Sequence, residues 1–276
     1  MGAEALRVAA YQAPLDACYN GGALGLIREQ LDQCETLGVD FLCCPEGALG
    51  GLADYVDDPS RIAIDVRKDL PAVAATLASK TVAVIVGFTE LGDDGRLYNA
   101  AAVMHRGGVV GLYRKLHPAI NRSVYHAGCD ASVFTVHDLT FGILICYDST
   151  FAESAAAMAS RGAAMLFVPT NCGMPESRGG RKLIATALET DIARARENGV
   201  PVVRADVTGR IGDLISYGAT SIVDHLGNVV SAAQPLVAGL IVGDVEERGV
   251  ILPALRSASD GVSADKDPLS RTTDQL

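Results

Sequence analysis

Basic residues are in the minority in this 276-residue chain: 23 Lys and Arg stand against 33 Asp and Glu, for a formal net charge of −10. Neither a basic stripe nor a cluster of positive charge interrupts that acidity, which argues against nucleic acid and anionic membrane as partners. Long apolar runs are also missing. Stretches such as Thr81 to Phe88 and Leu139 to Cys146 fall well short of the roughly 20 residues a spanning helix needs. The opening MGAEALRVAA lacks a basic run ahead of a long apolar one, so no secretory signal is expected. The seven cysteines (18, 34, 43, 44, 129, 146 and 172) include no C-x-x-C pair. An odd, unpaired set in a chain of this size points to a reducing cytoplasm, with most thiols acting as small buried hydrophobes. No G-x-S-x-G elbow, H-E-x-x-H helix or Walker loop is present, and the five histidines are scattered without ligand spacing. Neither a metal nor another cofactor is therefore expected.

What remains is a chain built to fold. Hydrophobic residues make up 49% and charged residues 20%, the balance of a globular protein. Short apolar runs alternate with segments of helical period, the pattern of layered α/β structure. The runs predict ten strands: Leu6 to Tyr11, Val39 to Cys44, Thr81 to Phe88, Leu97 to His105, Val109 to Tyr113, Leu139 to Ile145, Ala163 to Val168, Pro201 to Ala205, Ala219 to Asp224 and Leu236 to Val242. Helices are predicted over about Gly22 to Leu37, Val66 to Lys80, Phe151 to Arg161 and Arg181 to Asn198, the last closed by Gly199 and Pro201. No linker divides residues 1–256, read as one domain. Residues 257–276 form a polar tail, either disordered or ordered on a partner subunit.

Three polar residues fall where strands end, which in layered sheets is where ligand crevices open. In VDFLCCPEG, Pro45 stops the strand, Gly47 allows an abrupt turn, and Glu46 is presented between them. An ordinary turn glutamate would look the same. In VVGLYRKLHP, Lys115 follows a strand and Pro118 forces an extended exit. A solvated lysine is the plain alternative, and His117 reads as structural support. In LTFGILICYDSTFAES, Cys146 ends a buried strand, and Thr150-x-x-Glu153 matches a capping box before the next helix. A thiol on such an elbow faces free N–H groups and a helix N-terminus, which favour thiolate; a simple buried cysteine is the alternative. Together these residue types supply a nucleophile, a base and an oxyanion-stabilising cation, with the backbone N–H of Tyr147 as a second donor.

The segments FLCCPEG, YRKLHP and GILICYDSTFAE, in this order and spacing, resemble the three signature regions of the nitrilase superfamily of carbon–nitrogen hydrolases. The similarity spans about residues 6 to 245, including ARARENGVPVVRADVTG beyond the cysteine. The resemblance implies a four-layer αββα sandwich that assembles as a homodimer or higher homo-oligomer. It also implies Glu46 as general base, Lys115 as oxyanion cation and Cys146 as nucleophile. Two departures stand out. Family members commonly carry a second glutamate after the lysine, where NRSVYHAG puts Asn121. An amide keeps hydrogen-bonding reach without the charge, and so supports but does not act as a base. Asp206 in RADVTG stands where the family often has asparagine.

The residues after the nucleophile bear on substrate. Nitrilases proper usually read Cys-Trp-Glu, whereas this chain reads Cys146-Tyr147-Asp148 and has no tryptophan at all. That form looks more like amidases. The expected activity is hydrolysis of a small carboxamide through a cysteinyl thioester, with N-carbamoyl compounds or nitriles as other substrates to weigh. A catalytically idle member that binds a small amide or a partner protein is the competing reading. Asn171 and Cys172, in PTNCGMP, are expected beside the nucleophile, and the stretches Gly50 to Tyr55 and His117 to His126 are expected as pocket walls.

Overall fold

The computed structural model describes residues 5–120 and 123–246. From the amino end, strand β1 (Ala5–Pro14) runs into a short helix α1 (Leu15–Asn20) and then α2 (Ala23–Leu37). Strand β2 (Phe41–Cys43), the two-residue β3 (Ile64–Asp65), helix α3 (Leu70–Thr76) and the long strands β4 (Ala83–Leu91), β5 (Leu97–His105) and β6 (Gly108–Arg114) follow. The second half opens with β7 (Val133–Val136), β8 (Leu139–Ile143), α4 (Ala152–Ser160), β9 (Leu166–Pro169) and β10 (Met174–Pro175). It closes with α5 (Lys182–Asn198), β11 (Val202–Ala205), β12 (Val207–Ile211), β13 (Leu214–Ser216), β14 (Ser221–Val223), β15 (Val229–Ala232) and β16 (Gly239–Glu246).

These strands form two sheets. The first runs β10-β13-β12-β1-β2-β4-β5-β6, with β3 on β4 and β16 antiparallel along β1. The second runs β15-β14-β11-β9-β8-β7. Because successive strand residues point to opposite faces, each strand of the first sheet serves two cores. Val8, Ala10, Phe41, Cys43, Ala83, Ile85, Ala101 and Val103 face the second sheet, where they meet Phe141, Ile143, Phe167 and Val203. Ala9, Leu42, Cys44, Val84, Val86, Ala100 and Ala102 face outward and pack against Ile27, Leu31 and Cys34 of α2 and Leu70 and Ala74 of α3. On the far side of the second sheet lie Ala155 and Met158 of α4 and Ala195 of α5. The architecture is a four-layer αββα sandwich. No helix among the described residues is long and apolar enough to cross a membrane.

Each of the ten expected strands is present, β5 with the expected ends and the others with shifted ones. Strand β16 begins at Gly239 rather than Leu236, because Leu236 sits at φ 63°, in the left-handed region. Helix α3 starts at Leu70, four residues later than expected. Pro71 occupies its first turn, where a missing N–H costs nothing. The capping box at Thr150 does not form. Residues Cys146–Thr150 make a 3₁₀ turn, Phe151 holds the N-cap of α4 without a side-chain cap, and the Thr150 hydroxyl donates instead to the Tyr147 carbonyl at 2.8 Å. The tail at 257–276 lies outside the described residues, as does Asn121.

Candidate active site

Glu46, Lys115 and Cys146 line one cavity of about 80 Å³. Each arrives there from a different strand end. Glu46 follows β2, and its loop lies flat on β4 because position 87 has no side chain. A Cβ on Gly87 would sit 2.4 Å from the Pro45 carbonyl oxygen and 2.7 Å from the Glu46 Cα. Gly47 then turns the chain away at φ 59°. Lys115 follows β6, its N–H bonded to the Asn99 carbonyl at 2.8 Å. Cys146 follows β8 and adopts φ 48°, a conformation that non-glycine residues rarely hold and that functional sites often do. This elbow turns the chain at once into the 3₁₀ turn, so the N–H groups of its first residues precede any acceptor within the turn. Tyr147 provides one of them.

The carboxylate of Glu46 is 2% exposed and its surroundings hold it by both oxygens. Oε1 lies 2.5 Å from Lys115 Nζ and accepts the Asn99 side-chain amide at 2.7 Å. Oε2 accepts the Asn171 N–H at 3.0 Å, and the Asn171 side chain donates to the Glu46 carbonyl at 3.2 Å. Oε2 thus keeps an open lone pair toward the cavity. Burial works against the charge of Lys115, yet the Glu46 carboxylate and the Cys146 sulfur outweigh it and hold the ammonium above the ordinary lysine range. Asn99 is buried, lines the same cavity, and leaves its Oδ1 without a partner among the described residues.

A second set of buried polar groups ties the three segments together. Asp148, two residues past Cys146, accepts the Tyr113 hydroxyl at 2.9 Å, the His117 N–H at 2.8 Å, the Leu116 N–H at 3.3 Å and the Ile145 N–H at 3.2 Å. The lysine loop and the cysteine elbow therefore share one anchor. Burial pushes the Asp148 carboxyl up, against the opposing pull of Lys115 and these donors. Arg204 of β11 forms a buried bidentate pair with Asp191 of α5 and donates to Thr170 Oγ1 at 2.7 Å and Ser149 Oγ at 3.0 Å. Thr170 in turn accepts the Glu46 N–H on its carbonyl at 3.3 Å. His117 supports the elbow, its ring stacked on Phe151 at 3.7 Å between centroids.

The walls are those expected from sequence: Leu52, Asp54 and Tyr55 from one stretch, and Pro118, Ala119 and Ile120 with Ser123 and Tyr125 from the other. Asn171 lines the cavity as expected. Cys172 does not. Asn171 Oδ1 accepts the Gly173 N–H at 3.0 Å and closes a tight turn, while the Cys172 N–H goes to Asp206 Oδ1 at 2.9 Å. This places Cys172 in a separate small cavity with Asp206, behind the nucleophile. The neighbouring Cys146 side chain, together with burial, holds its thiol well above the ordinary range. Sequence reasoning missed Asn99, Arg204 and the anchoring role of Asp148. The only sequence signal for them was their polarity inside or beside apolar strands, as in LYNAAAVM and PVVRAD.

The carbon–nitrogen hydrolase family model matches residues 7–250. The chain is 30% identical over 264 residues to the "hydrolase in pqqF 5′ region" of Pseudomonas protegens, covering 90% of this chain and 85% of that protein. It is also 30% identical over 167 residues to an (R)-stereoselective amidase from a Pseudomonas species, covering 59% and 58% of the two chains. Among solved structures, a carbon–nitrogen hydrolase from Helicobacter pylori superposes with a TM-score of 0.73 at 18% identity, over 88% of this chain and 90% of that one. An amidase from a Nesterenkonia species superposes with a TM-score of 0.67 at 25% identity, over 89% and 92%. With the family matched across nearly the whole chain and the αββα sandwich in place, this protein belongs to the carbon–nitrogen hydrolase family and is a hydrolase of carbon–nitrogen bonds other than peptide bonds.

Proposed function

We propose that the enzyme is an amidase that needs no cofactor and cleaves a small carboxamide through a thioester on Cys146. Glu46 Oε2 takes the thiol proton, and the sulfur attacks the amide carbon. The oxyanion of the tetrahedral intermediate is met by Lys115 Nζ and by the Tyr147 N–H. Collapse breaks the C–N bond, and Glu46 returns its proton to the leaving nitrogen, which departs as ammonia or an amine. Glu46 then deprotonates a water that attacks the thioester, releasing the acid and restoring the thiol. The observation that carries this reading is the meeting of Cys146, Lys115 and the doubly held Glu46 in one cavity. At about 80 Å³, that cavity is far smaller than the roughly 300–1,000 Å³ of ordinary ligand pockets, which suits an acyl group of a few carbon atoms. The relatives include both amidases and nitrilases, and the Cys146-Tyr147-Asp148 sequence favours amides.

By the same reading the protein works in a reducing cytoplasm as a homodimer or higher homo-oligomer, with a small amide as its partner and neither nucleic acid nor membrane. All seven cysteines are free. The test is ammonia release from a panel of primary amides, N-carbamoyl amino acids and nitriles, joined to intact-protein mass measurement. Turnover of amides, none of nitriles, and an acyl mass increment on Cys146 are expected. Rapid nitrile conversion would overturn the substrate assignment. Undiminished amide turnover by Cys146→Ala would overturn the mechanism.

A further inference from the structure

The wall of the active-site cavity carries a further negative charge. Asp54 lines the same cavity as the Glu46 and Lys115 pair and is bonded to neither. Its Oδ2 accepts the Ser123 hydroxyl at 2.9 Å and its Oδ1 the Val124 N–H at 2.8 Å. Both donors are neutral, and no cation lies within ion-pair distance of Asp54 among the described residues. Each oxygen retains acceptor capacity beyond these bonds.

The turn that bears Asp54 is clamped on both sides. The Leu52 N–H donates to the Tyr19 hydroxyl at 3.3 Å, and the Ala53 N–H donates to the Tyr125 hydroxyl at 2.6 Å. That tyrosine is itself bonded to Thr89 at 2.7 Å. The carboxylate is therefore held in place before any substrate arrives, and binding need not order it. Tyr55 follows it in the chain and lines the same cavity, where its hydroxyl feels the charge of both Asp54 and Glu46. At the reacting end Glu46 and Lys115 cancel. Among the lining residues, this leaves Asp54 as the unbalanced charge. Arg178, which is not among the lining residues, acts on the Tyr55 hydroxyl through its charge alone.

We infer that Asp54 selects the charge of the substrate tail, so that the enzyme takes small amides ending in an ammonium or a hydrogen-bond donor and rejects those ending in a carboxylate. The inference rests on the amidase reading and names its substrate class. A carboxylate-tailed amide would be drawn into a small cavity against a like charge, with little water to screen it. An ammonium-tailed amide would gain a charge-assisted hydrogen bond at the same place. The overall charge of −10 biases encounter in the same direction.

Three amides of matched length test this: β-alaninamide (cationic), butyramide (neutral) and succinamate (anionic). In the wild type, kcat/KM is expected to fall in that order, with at least about a hundredfold between the two charged amides, that is, two successive tenfold steps of about 1.4 kcal/mol each. Asp54→Asn keeps both hydrogen bonds to the wall, because its amide still accepts from Val124 and pairs with Ser123, but removes the charge. It is expected to compress the cation-to-anion ratio by at least tenfold. The ratio is read within each protein, so a general loss of activity does not affect it. If the wild type turns over butyramide but prefers succinamate, or if Asp54→Asn leaves the ratio unchanged, the inference fails and the amidase reading stands. If no amide is hydrolysed, the amidase reading fails and this inference with it.

Discussion

Lys115 Nζ lies 2.5 Å from Glu46 Oε1, and the two side chains are 5% and 2% exposed. A buried pair of this kind stabilises little in itself, yet losing either partner strands the other charge without compensation. Here the pair also sets the working atoms. Oε1 is consumed by Lys115 and Asn99, so under the proposed mechanism proton transfer falls to Oε2.

Glu46→Gln preserves an acceptor for Lys115 and Asn99 but cannot take a proton. The variant leaves the Lys115 ammonium without its counter-charge and turns an NH₂ toward the Asn171 N–H, so a lowered thermal transition is expected together with a loss of about 10²–10⁴-fold in kcat. Steady-state ammonia release checks the rate, and intact mass checks whether any adduct on Cys146 forms but fails to hydrolyse.

Alkylation separates Cys146 from the other thiols. Burial pushes Cys18 and Cys34 up to about 12, and holds Cys43 and Cys44 higher still. These four should not react with iodoacetamide in the native protein. Cys129 is exposed and will label slowly. Peptide mapping after brief treatment near neutral pH is expected to find Cys146 modified first, with activity lost in step. Faster labelling of Cys129 together with loss of activity would contradict the assignment.

Asp148 gathers four donors onto two oxygens. Asp148→Asn turns one oxygen into an NH₂ that faces N–H groups, and should cost about 2–4 kcal/mol of stability. Because burial raises the folded-state value of this carboxyl, the folded protein binds its proton more tightly than the unfolded chain. The stability it contributes is greatest below the unfolded value of about 3.9 and declines as pH rises through the folded value. Denaturant titrations at several pH values should show the gap between wild type and variant narrowing as pH increases. A gap that widens would contradict the burial argument.

Arg204 and Asp191 join α5 to the floor of the site. Arg204→Met leaves a buried carboxylate unpaired and is expected to cost about 3–5 kcal/mol, with the double variant Arg204→Met/Asp191→Leu less affected than either single change. Turnover should fall as well, because the same guanidinium holds Ser149 beside the elbow and Thr170 beneath Glu46. An unchanged kcat in a stable variant would show that the two segments keep their places without it.

Local pattern disclosed much of this molecule before any coordinates. Ten apolar runs became ten strands, and Glu46, Lys115 and Cys146 were visible as polar residues closing three of them. Elements that depend on distant partners were not visible. The hairpin of β12 and β13 turns at Gly212 with half its residues exposed or partly so, and is defined by its pairing with β1 and β10. Strand β15 is largely exposed and pairs only with β14. Asn99 and Arg204 looked like isolated polar interruptions of strands, because their partners Glu46 and Asp191 are 53 and 13 residues away. The capping box misled because a 3₁₀ turn, fixed by Asp148, took the place of a direct strand-to-helix junction.

Strand β16 lies along β1 so that Ala5 faces Glu246 and Gln12 faces Gly239. One flank of β1 therefore stays open during synthesis until residue 246 has cleared the ribosome. The nascent chain must hold that exposed edge apart from neighbours through nearly the whole of translation. Closing it requires contacts across more than two hundred residues, which makes this zipper a late and slow event in maturation.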